Sequence, residues 1–291
     1  MTVSGWVAGA RPRTLPAAIA PVLMGGGLAR STGEFAALPW LAALGGALCI
    51  QIGTNFANDY SDFVRGADTD ARLGAPRVTQ TGVMTPAAVR GAAALFFLFA
   101  LLIGVYLVAR GGWPIVVIGL ASIVAGVCYT GGPWPFGYHG LGDLFVWLFF
   151  GPVAVAGTVY VQSLEWSVDA ILAGAGVGAL ITAILVVNNL RDIETDRAAG
   201  KRTLAVILGA EATGVEYRAL ILASMIVPVL GAFALGWPVA TLAALLGPAI
   251  TSARRAIVHR YDDPRELNPA LPATARAAGL YGLLFAAGCL L

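Results

Sequence analysis

The sequence predicts an all-α integral membrane protein, with nine transmembrane helices around a central cavity in two pseudo-repeated halves, as one domain over residues 1–291. Three observations predict it. Apolar residues make up 58% of the chain and charged residues 12%, with a mean hydropathy of +0.80, whereas soluble domains carry about 25% charged residues. Uncharged runs recur near the ~20 residues that a helix needs to cross ~30 Å of hydrocarbon, rather than as the ten-residue alternating segments of a barrel. Basic residues then fall almost wholly on one side of the resulting topology.

Spans are expected at 14–30, 36–57, 87–109, 113–130, 141–161, 169–190, 218–235, 238–254 and 272–290. The seventh and eighth divide one uncharged run at Gly236-Trp237-Pro238, a natural turn. With the N-terminus in the cytoplasm, 16 of the 18 basic residues lie inside and only Arg30 and Arg110 outside, as the positive-inside rule requires. Cys49, Cys128 and Cys289 have no CxxC spacing, which argues against a disulfide framework or a zinc site. The N-terminus lacks the pattern of a cleaved signal.

Taken in order, Trp6 and Arg11-Pro12-Arg13 suit an interfacial anchor before the first span. The second span ends in Gln51, Asn55, Asn58, Asp59 and Asp62, at offsets that align them along one helix face. Such a face belongs against a cavity or a partner, not lipid. The loop from Phe63 to Pro86 carries Arg65, Asp68, Asp70, Arg72 and Arg77, and its adjacent carboxylates repel unless a cation lies between them. The third and fourth spans are plain. Tyr129 to His139 is an aromatic loop too rich in Gly and Pro to continue a helix, with Tyr129 and Tyr138 as pocket candidates and Trp134 and Phe136 as interfacial residues. Asp143 suits a helix N-terminus, and neither histidine has a ligand-spaced partner.

The sixth span ends in Asn188, Asn189, Asp192 and Asp196, which repeat the Asn55, Asp59 and Asp62 layout, and Lys201, the sole lysine, follows with Arg202. Both acidic patches open to the same side, as two halves facing across a cavity would place them. The last loop, 254–269, mixes charges with no ligand spacing, and the final span is plain.

Asn58-Asp59-Tyr60-Ser61-Asp62, with Asp192-Ile193-Glu194-Thr195-Asp196 and Gly200-Lys201-Arg202-Thr203, resembles the paired aspartate motifs of the UbiA superfamily of intramembrane aromatic prenyltransferases. The runs Asn58 to Arg77, Tyr129 to Asp143 and Asn188 to Gly209 most resemble its 1,4-dihydroxy-2-naphthoate polyprenyltransferase branch, which makes demethylmenaquinone for menaquinone biosynthesis. The general pattern would put a third acid of the first motif at Gly66, whereas the next acid here is Asp68.

The resemblance implies a multi-pass plasma-membrane enzyme with cytoplasmic active-site loops. Its partners would be polyprenyl diphosphate, 1,4-dihydroxy-2-naphthoate and the lipid bilayer, with no nucleic acid. Asp59, Asp62, Asp192 and Asp196 would be catalytic, and Asn58, Asp62, Asp68, Asp192 and Asp196 would hold Mg²⁺, which typically binds one or two carboxylates plus substrate phosphates. Arg72, Arg77, Lys201 and Arg202 would neutralise diphosphate oxygens, and Tyr129 or Tyr160 would face the allylic cation. A secondary transporter is the rival class, but the acids sit at helix mouths and the spans carry almost no ionisable relay. A structural scaffold leaves the two polar faces unexplained.

Overall fold

The structure, a computed structural model, describes residues 3–67, 72–251 and 261–291. Among these residues every regular element is helical, as lipid demands of a chain that must satisfy its own backbone. A short α1 (Val3–Ala10) breaks at Arg11, whose φ of 50° is left-handed, and a 3₁₀ turn at Pro12–Thr14 leads into α2 (Leu15–Ser31). Pro16 sits in the first turn of α2, where its missing N–H costs nothing.

Helix α3 (Ala37–Val64) is 28 residues long, about 42 Å at 1.5 Å per residue, so it outruns the ~30 Å of hydrocarbon by roughly two turns. The surplus carries Asn58 to Asp62. The chain then folds back over this end, with Val78 and Met84 buried against Phe56 and the start of α4 (Pro86–Gly111), whose N-cap is Thr85. The connection expected as a charged loop is therefore partly core.

After α5 (Trp113–Cys128), α6 (Gly142–Ser163) widens into a π turn at Phe149–Val153, where Pro152 lacks the N–H for the regular ladder. There it meets α7 (Val168–Arg191) at near backbone contact: a Cβ on Gly151 would stand 2.5 Å from the Gly174 carbonyl oxygen. Small residues are what allow helices in lipid to approach this closely. Helix α7 is the most enclosed of the long helices.

Beyond it come α8 (Ile193–Ala198), α9 (Leu204–Leu208) and α10 (Ala210–Ala234). Then follow a 3₁₀ segment, Val239–Leu245, with α11 (Leu246–Ala249), and finally α12 (Ala270–Gly288). In each half the motif-bearing helix packs most extensively on the next long helix, α3 on α4 and α7 on α10.

Among the described residues, six helices are long and apolar enough to cross a membrane: α3, α4, α6, α7, α10 and Pro264–Gly288, which contains α12. Two boundaries differ from the sequence reading. Helix α10 starts at Ala210 rather than near 218, because Glu211 and Glu216 end an apolar run without breaking a helix. The eighth span, expected as one helix, is a 3₁₀ segment followed by one α turn at Val239–Ala249; residues 252–254 lie outside the described residues. The turn between these spans falls where expected: Gly236 has φ 75°, and the Trp237 ring packs over Gly231 while its Nε1 donates to Asp169 at 2.9 Å.

Candidate active site

Helices α2 to α7, with α12 and the connecting loops, line a cavity of about 480 Å³, within the range of small-molecule sites. One end is polar, bordered by Arg11, Asn58, Asp62, Arg72, Arg77, Tyr138, Asn188, Asp192, Asp196 and Lys201. The body is apolar, walled by residues such as Val22, Ala47, Ile118, Phe145, Phe149 and Val153. The two acidic patches, 130 positions apart when measured from Asp62 to Asp192, thus open into one chamber with a charged head and a greasy tail.

In the first patch the buried Asp62 is the hub. Its Oδ1 lies 3.0 Å from Lys201 Nζ and accepts from the Tyr138 hydroxyl at 2.9 Å, and its Oδ2 lies 3.5 Å from Arg77 Nη2. Asn58 stands one turn earlier on α3, and its Oδ1 accepts from the Thr130 hydroxyl at 2.9 Å. In the second patch Arg191 clasps Asp192 with two bonds, Nε to Oδ1 at 2.7 Å and Nη2 to Oδ2 at 2.6 Å. Arg191 also donates to Asn188 Oδ1 at 2.9 Å and to Asn268 Oδ1 at 3.0 Å. The two halves therefore match as Asn58/Asp62 and Asn188/Asp192, each at i, i+4.

A model of the UbiA prenyltransferase family matches residues 18–280, nearly the whole of this arrangement. The chain belongs to that family. It is 43% identical over 241 residues, 82% of each chain, to the 1,4-dihydroxy-2-naphthoate octaprenyltransferase of Mycobacterium tuberculosis. To the enzyme of the same name from Escherichia coli it is 38% identical over 298 residues, covering 98% of this chain and 95% of the relative. Its fold is similar to that of a UbiA homolog from Archaeoglobus fulgidus bound to GPP and Mg²⁺, with a TM-score of 0.65 at 16% identity, covering 98% of each chain.

Not every residue expected at this UbiA-family site faces it. Asp59 is turned away from the cavity: its carboxylate accepts from the Val78 amide at 3.2 Å, the Thr79 amide at 3.3 Å and the Thr79 hydroxyl. It pins the returning loop, so its position differs from the catalytic one expected. Tyr160 does not border the cavity; its hydroxyl donates to the Gly111 carbonyl at 2.9 Å and its ring stacks on Trp166. Arg202 has an exposed side chain, and only its backbone amide is engaged nearby, donating to the Tyr138 carbonyl at 3.0 Å. Asp68 and Asp70 lie outside the described residues. Tyr129, Arg72, Arg77, Lys201 and Asp196 do line the chamber.

Tyr138, named from the sequence as a pocket candidate, does border the chamber, and further residues that spacing could not reveal join it. Tyr138 bridges the aromatic loop to Asp62, with Lys201 Nζ 4.9 Å and the Arg65 guanidinium 5.6 Å from its ring centre. Phe136 stacks on Phe145 at 4.1 Å, and Phe145 on Phe149 at 6.1 Å, giving the cavity an aromatic wall beside its polar end. Arg191 and Asn268 hold the first loop from the other side, Asn268 donating to the Leu73 carbonyl at 3.2 Å.

Burial pushes the Asp196 carboxyl up to about 7; Lys201 pulls it down, while the charges of Asp192 and Asp62 push it further up. The Tyr138 hydroxyl is raised by burial and by the Asp62 carboxylate it donates to. Asp192 and Asp62 therefore each lie within electrostatic reach of Asp196. Among the described residues no three His, Cys, Asp or Glu side chains form a closed ligand cage. An open, oxygen-only set of amides and carboxylates suits Mg²⁺, which keeps waters and shares its shell with substrate phosphates.

Proposed function

We propose that this protein transfers a polyprenyl group from polyprenyl diphosphate to 1,4-dihydroxy-2-naphthoate, with loss of CO₂, in menaquinone biosynthesis. The observation that carries the reading is the convergence of the two Asn-x-x-x-Asp pairs, with Lys201 and Arg77, on the polar end of one apolar chamber. The relatives named for this reaction at 43% and 38% identity support the choice of acceptor.

Asn58, Asp62, Asn188, Asp192 and Asp196 would hold Mg²⁺. When bound, the metal supplies Lewis-acid charge to the diphosphate as the allylic C–O bond breaks. Lys201, Arg77 and Arg72 neutralise phosphate oxygens, for which Lys201 and Arg77 exchange their present partner, Asp62. Tyr138 keeps Asp62 oriented during that exchange. The leaving diphosphate takes the bonding pair, and Tyr129, Phe145 and Phe149 present electron-rich rings to the allylic cation while excluding water. The prenyl tail occupies the apolar body. A ring π pair closes on the cation and loss of CO₂ returns a pair to the ring. With the acceptor carboxylate ionised, the sum releases no proton and needs no general base.

The charge asymmetry of the sequence supports a nine-span topology in the plasma membrane, with the N-terminus and the polar mouth cytoplasmic. The test uses the purified chain in detergent with a polyprenyl diphosphate, the naphthoate and Mg²⁺. Diphosphate release and prenylated product are expected, with both lost by at least about 100-fold in Asp62→Asn and Asp192→Asn. Proton or sodium flux in liposomes without any prenylated product would replace this reading with a transporter.

A further inference from the structure

The two halves match at Asn58/Asp62 and Asn188/Asp192, but the residue before each aspartate does not: Ser61 precedes Asp62, whereas Arg191 precedes Asp192. That one position gives the two carboxylates different counter-ions. Asp62 is served from afar, by an ammonium on a flexible stem, Lys201 Nζ at 3.0 Å, and by Arg77 Nη2 at 3.5 Å. Asp192 is served by its own chain neighbour, through a fork at 2.7 and 2.6 Å that engages both of its oxygens.

Arg191 is also fixed in place. Only 4% of its side chain is accessible, against 13% for Lys201 and 11% for Arg77. Its other donations go to Asn188 Oδ1 at 2.9 Å and Asn268 Oδ1 at 3.0 Å, and Asn268 in turn holds the Leu73 carbonyl. The guanidinium lies against Gly74, where a Cβ would stand 2.7 Å from Nη2. Swinging Arg191 away would break four charge-assisted hydrogen bonds and strand a buried carboxylate, so it stays. A movable ammonium yields to an incoming divalent cation; a fixed guanidinium does not. The fork leaves lone pairs on Asp192, since an ionised carboxylate has about four acceptor positions. The second pair can therefore coordinate, but its charge is already cancelled and it attracts a cation weakly. A diphosphate brings the missing negative charge.

We propose that Arg191 is a positioning residue that makes the second pair a conditional metal site, so that Asn188 and Asp192 take a divalent cation only together with the diphosphate. This rests on the reaction proposed above and adds an order to it. Through Asn268 and Gly74 the same guanidinium sets the register of the loop that carries Arg72 and Arg77, so cation, diphosphate and loop come together in one step.

The experiment titrates Mn²⁺ into the full chain in detergent and counts bound ion by electron paramagnetic resonance. Titrations run with and without geranyl S-thiolodiphosphate, an unreactive donor analogue, against a protein-free titration of the analogue. The unmodified protein binds at most one equivalent with metal alone, and a further equivalent appears with the analogue; Asp192→Asn removes it. In Arg191→Met that equivalent binds without the analogue about 10- to 100-fold more tightly than in the unmodified protein, the scale on which groups around the ligands tune a metal. A residue that only supported the fold would lower metal affinity on removal, not raise it. Arg191→Lys keeps the charge without the fork, so the metal-only equivalent stays weak while the donor KM rises about 3- to 10-fold. Unchanged or weakened metal-only binding in Arg191→Met overturns the proposal. So do two equal equivalents in the unmodified protein without analogue, or no further equivalent with it, and these two outcomes need no variant to fold. Either result alongside normal transfer refutes the role of Arg191 alone; absence of any transfer by the unmodified chain refutes the reaction itself.

Discussion

Asp59→Ala separates holding the site together from doing its chemistry. The Asp59 carboxylate takes hydrogen bonds from the Val78 and Thr79 amides at 3.2 and 3.3 Å and from the Thr79 hydroxyl, with Arg11 at 3.8 Å. Truncation strands two amides and a hydroxyl in buried surroundings, each at about 1–3 kcal/mol. The three share one loop, so their costs do not add fully; removing one partner from a buried ionic network costs about 3–5 kcal/mol. At 1.4 kcal/mol per factor of ten, local opening of this loop becomes roughly 100- to 4,000-fold more frequent. Hydrogen exchange at Val78 and Thr79 reads that number directly, and Asp59→Asn, which keeps one acceptor oxygen, falls between. Because Arg77 lies on the same loop, the donor KM rises before kcat changes. Wild-type exchange at Val78 and Thr79 together with a collapse in kcat would refute the reasoning and return Asp59 to the chemistry.

Three further outcomes are expected. Tyr160→Phe leaves kcat within about 2-fold, whereas Phe145→Leu, which removes a ring from the cavity wall, lowers it by about 3- to 30-fold, the range of a cation–π contact; equal kcat values in the two variants would contradict the aromatic wall. Asn268→Ala breaks the tie between Arg191 and the Leu73 carbonyl and raises the donor KM about 3- to 10-fold with kcat less affected; an effect on the acceptor KM instead would dissociate Asn268 from the loop. Because Asp196 titrates near 7 and must be ionised to bind metal, Mg²⁺ binds about tenfold more weakly at pH 6 than at pH 8 in calorimetry, with proton release. Asp196→Asn removes that dependence, and a dependence that survives the substitution belongs to another group.

The sequence alone determined the class, the position of most spans and the two acidic patches, because lipid imposes composition and length on each helix independently of its neighbours. It also determined that Asp62, Asp192, Asp196, Lys201 and Arg77 belong together, since charge in so apolar a chain has few places to go. Only the tertiary structure decided which polar atoms face the chamber. Asp59 and Asp62 are three residues apart on one helix and look equivalent in a pattern of offsets. Yet the returning loop claims one and the cavity the other, and that choice depends on residues 78 and 79 folding back. Tyr160 and Phe145 are both aromatic residues of α6, but they lie on different turns and only Phe145 borders the chamber. Arg11, expected as an interfacial anchor, borders the cavity, its backbone left-handed and the flanking Ala10 and Thr14 held by the Asn55 and Gln51 amides of α3. Periodicity specifies a helix face, while the identity of what packs on that face is a long-range property that local spacing does not carry.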